Sequence, residues 1–220
     1  MSRSCTFVFL VPFLLLSEFS FADSVVYDNG AGGASGIETA FASDPDFSSN
    51  GVRQADDVEL AATTFVDGIE WTGVYNGSNI APEFEEFSLA IFADNGGVPL
   101  EGPPLAEFAI GNNVERVDSG FNVANFDVFE YSAEISFTFV AQQRYWISII
   151  NDTTGSDADF FWGGLTASAG GNGHIGAIDG SSWSQTSSLH DFRLTASPIP
   201  EPGTTMLLGL VLFLSIRRER

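Results

Sequence analysis

The sequence predicts an all-β protein, an antiparallel two-sheet sandwich of jelly-roll or lectin-like kind. Three observations carry this. Apolar residues recur at every second position rather than every 3.6, Asn-Gly and Asp-Gly pairs punctuate the chain at short intervals, and the middle of the chain has no amphipathic helical stretch. Its 23 Gly and 21 Phe suit a protein of short strands, tight turns and an aromatic core.

The elements follow in order. Ser24–Tyr27 ends at Asn29-Gly30, and Ala55–Leu60 follows Asn50-Gly51. In Thr64–Tyr75, Ile69 and Trp71 face one way and Glu70 and Thr72 the other. Glu85–Ala93 sets Phe87, Leu89 and Ile91 against Ser88 and Ala90 and stops before Asn95-Gly96; Leu105–Ile110 and Glu115–Val123 are the next two runs. Val128–Ile135 sets Phe129, Tyr131, Ala133 and Ile135 against Glu130, Ser132 and Glu134. Arg144–Asn151 sets Tyr145, Ile147 and Ile149 against Trp146, Ser148 and Ile150, and Asp159–Gly163 and His190–Ala196 complete the set. Strands of this pattern are expected to keep one face wet. The further pairs Asp67-Gly68, Asn76-Gly77, Asn172-Gly173 and Asp179-Gly180 offer the positive φ that tight hairpin turns require.

The two ends differ from this middle. Arg3 is followed by an apolar run from Phe7 to Leu16 and then by Ser20 and Ala22 at the −3 and −1 positions, which predicts a signal peptide over residues 1–22, cleaved after Ala22 by signal peptidase. The sandwich ectodomain is expected over 23–197. Residues 198–220 hold Pro198-Ile199-Pro200-Glu201-Pro202, an apolar run from Met206 to Ile216, and Arg217-Arg218-Glu219-Arg220. Alternating prolines keep a chain extended and readable, an apolar helix partitions into a bilayer, and terminal arginines stay on the cytoplasmic side as a membrane stop. From Thr204 to Ile216 is 13 residues, a helix of ~20 Å against a hydrocarbon core of ~30 Å. That length fits a transient membrane contact better than a permanent anchor.

Charge and cysteine narrow the function. Residues 23–197 carry 26 acids against four arginines, a net charge of −22, and the whole chain has no Lys. Such a field repels nucleic acid and attracts divalent cations. The one cysteine, Cys5, falls in the leader, so the ectodomain is expected to have neither disulfide nor thiol chemistry.

The triplet Pro200-Glu201-Pro202, the apolar helix and the basic end Arg217, Arg218 and Arg220 resemble the PEP-CTERM sorting signal of bacteria that make extracellular polysaccharide. The resemblance implies recognition and cleavage near the triplet by exosortase, a membrane-embedded cysteine transpeptidase, and delivery to the cell surface or extracellular matrix. The middle, with Gly68-Ile69-Glu70-Trp71-Thr72-Gly73-Val74-Tyr75 and Tyr145-Trp146-Ile147-Ser148-Ile149-Ile150, is similar to secreted sandwich ectodomains that carry this tail. That likeness implies a compact fold and no particular activity.

Candidate sites are few. Asp152, Asp157 and Asp159 lie in a loop rich in Asp, Asn and carbonyl groups and are the candidate ligands of a calcium ion, Ca2+, which takes six to eight oxygens. Trp162 and Trp183 sit in glycine-rich or polar surroundings and are the candidate platforms for a sugar ring. Trp71 and Trp146, in regular strands, are expected in the core. No catalytic residue is assigned: Glu130 and Glu134 share a strand face at ~13 Å, beyond the ~5–9 Å of a glycosidase pair. The expected function is that of a non-catalytic surface or matrix protein associated with exopolysaccharide or biofilm. A carbohydrate-binding module and a secreted glycoside hydrolase are the alternatives.

Overall fold

The computed structural model describes residues 23–29, 33–77, 81–165, 172–186 and 188–197. The expected signal peptide and C-terminal helix lie outside the described residues. The strands are β1 (Ser24–Asp28), β2 (Thr39–Ala42), β3 (Arg53–Glu59), β4 (Thr64–Asn76), β5 (Glu86–Ala93), β6 (Ala106–Gly111), β7 (Glu115–Val123), β8 (Phe126–Phe139), β9 (Arg144–Asp152), β10 (Asp159–Leu165), β11 (His174–Gly176), β12 (Trp183–Gln185), β13 (Leu189–His190) and β14 (Phe192–Ala196). Among the described residues there is no helix.

Two antiparallel sheets result. The smaller runs β12-β11-β3-β9-β5-β6, and the larger, of eight strands, is built on β4. Along one side β4 pairs with β8, from Thr64↔Phe139 to Gly73↔Phe129, and β8 pairs with β7. Along its other side β4 is shared. Gly68–Trp71 pairs with β14 and Gly73–Asn76 with β10, so the sheet branches at Thr72. Beyond the branch β10 leaves β4 and pairs with β13 through Gly164↔His190.

The branch demands close backbone approach, which explains the Gly163-Gly164 pair. A Cβ on Gly163 would stand 2.4 Å from Ile37 Cδ1 and 2.5 Å from Thr72 Oγ1; one on Gly164 would stand 2.2 Å from the Leu189 carbonyl oxygen. The indole N–H of Trp162 donates to the Asp191 carbonyl at 2.8 Å, and the Asp191 N–H donates to the Gly163 carbonyl at 2.8 Å, closing the angle between the diverging strands.

The expected alternation builds the core between the sheets. Ile69, Trp71 and Tyr75 of β4, Phe129, Tyr131, Ile135 and Phe139 of β8, and Phe160 and Trp162 of β10 meet Phe87, Leu89 and Ile91 of β5 and Tyr145, Ile147 and Ile149 of β9. Full burial of each large side chain contributes roughly 1.5–3 kcal/mol. Trp71 stacks on Tyr131 at 5.4 Å and meets the edge of Phe87 at 5.2 Å. Offset and edge contacts of this kind match the ring quadrupoles.

Every expected strand is present, though His190–Ala196 divides at Asp191 into β13 and β14, and the structure adds β2, β11 and β12, which are too short to show a period. Two expectations change. Asp67-Gly68 forms no turn: it lies inside β4 where the register against β8 shifts, and Asp67 stands opposite two residues of β8, Ile135 and Ser136. The alternation in β9 does not leave a wet face, because Tyr145 to Asn151 are all buried. Trp146, Phe92, Ala55 and Ala90 make a second small core on the outer face of the smaller sheet, and Trp183 packs against it.

One polar cluster is sealed within the apolar core. The Glu85 carboxylate, 2% exposed, accepts the hydroxyls of Tyr75 and Tyr131, the latter at 3.0 Å, and its other oxygen lies 2.7 Å from Arg116 of β7. Asn151 Nδ2 donates to the Tyr75 hydroxyl at 2.9 Å while its Oδ1 accepts the Glu86 N–H at 2.9 Å. Burial above all, with the charge of Glu85 adding to it, raises the pKa of both phenols, so they remain proton donors. Glu85→Ala takes the acceptor from the buried Tyr75 hydroxyl, leaves Tyr131 only the Tyr75 hydroxyl at 3.1 Å and Arg116 only the Pro82 carbonyl at 3.2 Å, and is expected to cost about 3 kcal/mol. Glu85→Gln, which keeps two acceptor–donor contacts, should cost less. Urea unfolding checks both; an unchanged midpoint for the alanine variant would contradict this account of the cluster.

Candidate functional site

The described chain ends in a clamp. β1 pairs with β14 through Ser24↔Ala196 and Val25↔Thr195, so the first and last strands of the ectodomain lie side by side. The N–H of Ser197 donates to both oxygens of Asp67, at 3.0 and 3.1 Å, and its hydroxyl donates to Asp23 Oδ1 at 3.1 Å. Asp67 lies at the register shift against β8, one residue before Gly68, which pairs with Thr195 of β14. Hydrogen bonding from Ser197 lowers the pKa of its carboxyl below the ordinary value. Ser197, the last described residue, is therefore held to the sheet.

Around that point the larger sheet, together with β6 of the smaller one, lines a groove of about 1340 Å³. A cross-sheet row of Val25, Thr195, Gly68 and Glu134 crosses it, each paired with the next. Asp23, Asp67, Glu70, Glu107 and Glu115 stand around the row. Small residues make the floor and carboxylates the walls.

The expected sugar platforms are placed differently. Trp162 is 0% exposed, one face stacked on His190 at 4.6 Å and its indole N–H committed to the Asp191 carbonyl. It is a core residue at the sheet branch, so the expectation of an open ring there gives way. The sequence signal misled because Gly163-Gly164 serves close strand packing, not a flexible loop. Trp183 is half-buried and lies edge-on to Phe92 at 5.3 Å, covering the second small core. Trp71 and Trp146 are buried, as expected.

The expected calcium ligands do not converge. Asp152 Oδ1 accepts the Thr154 N–H at 3.0 Å in a local turn, Asp157 is exposed, and Asp159 lies at the start of β10. Desolvation first, and then the charges of Asp44 and Asp46, raise the pKa of Asp159. The buried Asp44 has both oxygens occupied: Oδ2 takes the Thr153 hydroxyl at 2.5 Å and the Phe160 N–H at 2.9 Å, while Oδ1 takes the Asp46 N–H at 2.9 Å. Among the described residues no group of three His, Cys, Asp or Glu is placed to hold a metal ion. The loop's acidity serves turn and cap hydrogen bonds.

Sequence reasoning missed the buried acids that cap backbone where strands part. Asp56 of β3 reaches across the sandwich, its Oδ2 accepting the His190 N–H at 2.6 Å and its Oδ1 the Asp57 N–H at 2.9 Å. Asp191 Oδ1 accepts the Gly33 N–H at 3.2 Å. His190, expected to open the last strand, is fully buried, with Nε2 3.1 Å from Ser188 Oγ. This is no catalytic triad: Asp56 holds the backbone of His190 and not its ring, and the Ser188 hydroxyl is buried. A sequence signal existed for Asp56, an acid at an inward position of a strand, but an isolated strand cannot say which donor it meets.

Comparison with known families finds the PEP-CTERM protein-sorting motif at residues 198–220, beginning one residue after the clamp. Among curated proteins no relative matches the chain. The motif marks an exported protein sorted to the cell surface and processed by exosortase.

The two buried groups give opposite pH dependences. Burial raises Asp56 to about 7 from an unfolded value of ~3.9, so its stabilising share is complete below pH ~4 and is lost as pH rises through 7. Burial lowers His190 to about 3 from ~6.5, so its share is complete above pH ~6.5 and is lost as pH falls through 3. Between pH ~4 and ~6.5 the slopes oppose each other. Asp56→Asn should expose the histidine slope, losing up to about 1.4 kcal/mol per pH unit on acidification. His190→Gln should gain stability over the same window. Chemical unfolding of both variants from pH 4 to 7 checks the pair, and parallel curves would refute it.

Proposed function

We propose that this chain is a non-catalytic protein of the bacterial surface or extracellular matrix, working within an exopolysaccharide or biofilm layer. Signal peptidase releases it after Ala22, and exosortase acts on its tail near Pro200-Glu201-Pro202. The observation that carries the reading is the sorting motif at 198–220, set directly after the Ser197 clamp. Pro200 follows Ser197 by three residues, a reach of at most ~11 Å, so the processing enzyme meets its triplet against an acidic wall of the folded domain. The run Met206 to Ile216 holds the tail in the bilayer during transfer, and Arg217, Arg218 and Arg220 stop it from crossing.

The acidic surface fits this setting. A net charge of −22 over residues 23–197 keeps a secreted domain soluble and away from anionic head groups, so membrane contact runs through the tail alone. The carbohydrate-binding reading draws on the groove and no longer on Trp162. The hydrolase reading gains nothing comparable: Glu130 and Glu134 share the outer face of β8, with Thr72 and Gly68 as their partners on β4.

In a host that makes exosortase, the mature protein is expected to begin at Asp23 and to lack Arg217 to Arg220. Deleting Met206 to Ile216 should shift it from the surface to the medium with the basic end retained. Intact-mass analysis and fractionation check this; an unprocessed C-terminus in the wild type would refute the assignment.

A further inference from the structure

The branch at Thr72 leaves a second cleft on the outer face of the larger sheet. The pairings Thr72↔Glu130 and Trp71↔Phe192 line up Asp191, Thr72 and Glu130 across three strands, and the next outward row is Arg193, Glu70 and Ser132. Together with Gly33 these residues line a cleft of about 260 Å³. It adjoins the larger groove, with which it shares Glu70, Glu115 and Ser132.

The floor of the cleft is chemically incomplete. Thr72 is 2% exposed, and its outward-facing hydroxyl approaches the Asp191 carboxyl without completing a hydrogen bond to any group. A buried hydroxyl without a partner destabilises a fold that a valine of the same shape would not burden. Such a group calls for an explanation in terms of function or a bound molecule. Arg193, the cation lining the cleft, is engaged by Asp28 at 3.0 Å and faces Glu70 at 3.8 Å.

We infer that this face binds an amine-bearing saccharide chain, one sugar ring seated over Thr72 between Asp191 and Glu130 and its neighbours lying along the larger groove. The size fits: 260 Å³ falls just under the ~300 Å³ lower end of pockets for drug-sized ligands, which is room for one ring. The chemistry is that of hydrogen bonds and charge, because the rings of Trp71 and Tyr131 belong to the core and offer no stacking face. Carboxylates and hydroxyls accept from sugar hydroxyls and from an ammonium group. The same carboxylates repel uronate and phosphate chains. Burial raises the pKa of the Asp191 carboxyl above its ordinary value. The choice of a sugar over a basic peptide rests on the proposed residence in a polysaccharide layer.

The test uses the mature exported protein and calorimetry in ~0.15 M salt, where exposed charges are screened beyond ~8 Å. The probes are hexamers of glucosamine, N-acetylglucosamine and galacturonate, with oligoarginine as the peptide control. Glucosamine hexamer is expected to bind most tightly. Thr72→Val and Glu130→Gln are each expected to weaken it roughly tenfold, the loss of about one hydrogen bond. Thr72→Val should also melt at a higher temperature than the wild type, which a purely structural threonine would not do. The inference is overturned if the hexamer does not bind, if both variants bind it as the wild type does, or if galacturonate or oligoarginine binds as tightly. A protein processed normally at its tail but blind to these sugars would sink the groove and leave the sorting assignment standing. An unprocessed tail with intact sugar binding would do the reverse.

Discussion

The architecture depends on one strand serving two neighbours along one side. β4 hands its hydrogen bonds from β14 to β10 at Thr72, and a sheet cannot do this without stranding backbone donors where the two partners diverge. Asp56 takes the N–H of His190 from the opposite sheet. At the same junction, the carbonyl of Asp191 takes the indole of Trp162. Elsewhere along β10, the Asp44 carboxylate takes the N–H of Phe160. The acidic bias of the chain is thus partly structural: carboxylates stand where another strand would have been.

The same branch shapes the surface. Gly163 and Gly164 let three strands close on one another, which packs Trp162 inward against His190 and leaves Thr72 and Asp191 at the floor of an outward cleft. What reads along the sequence as a glycine-flanked aromatic is therefore core, and the polar row beside it, with Thr72 and Asp191 themselves buried, floors the cleft on the outer face. The inner and outer faces of one junction divide the labour: apolar rings stabilise the sandwich within, while carboxylates and hydroxyls face the medium.

Toward the start of β4, Asp67 clamps Ser197 beside the register shift against β8, and the pairing of β1 with β14 brings both ends of the ectodomain to one sheet edge. The sorting motif starts at the next residue.

The sequence by itself determined the class of fold, the strands long enough to alternate, the burial of Trp71 and Trp146 and the nature of the tail. These are local properties: a period of two needs only neighbours along the chain, and a sorting signal is read as a linear string. Only the tertiary structure decided that Trp162 is core, that Asp152, Asp157 and Asp159 stay apart, that β9 is buried on both faces and that Asp56 meets His190 from 134 residues away. Each of those depends on which strand lies beside or across from which, a pairing that β-sheets settle through long-range contacts and that no single strand encodes.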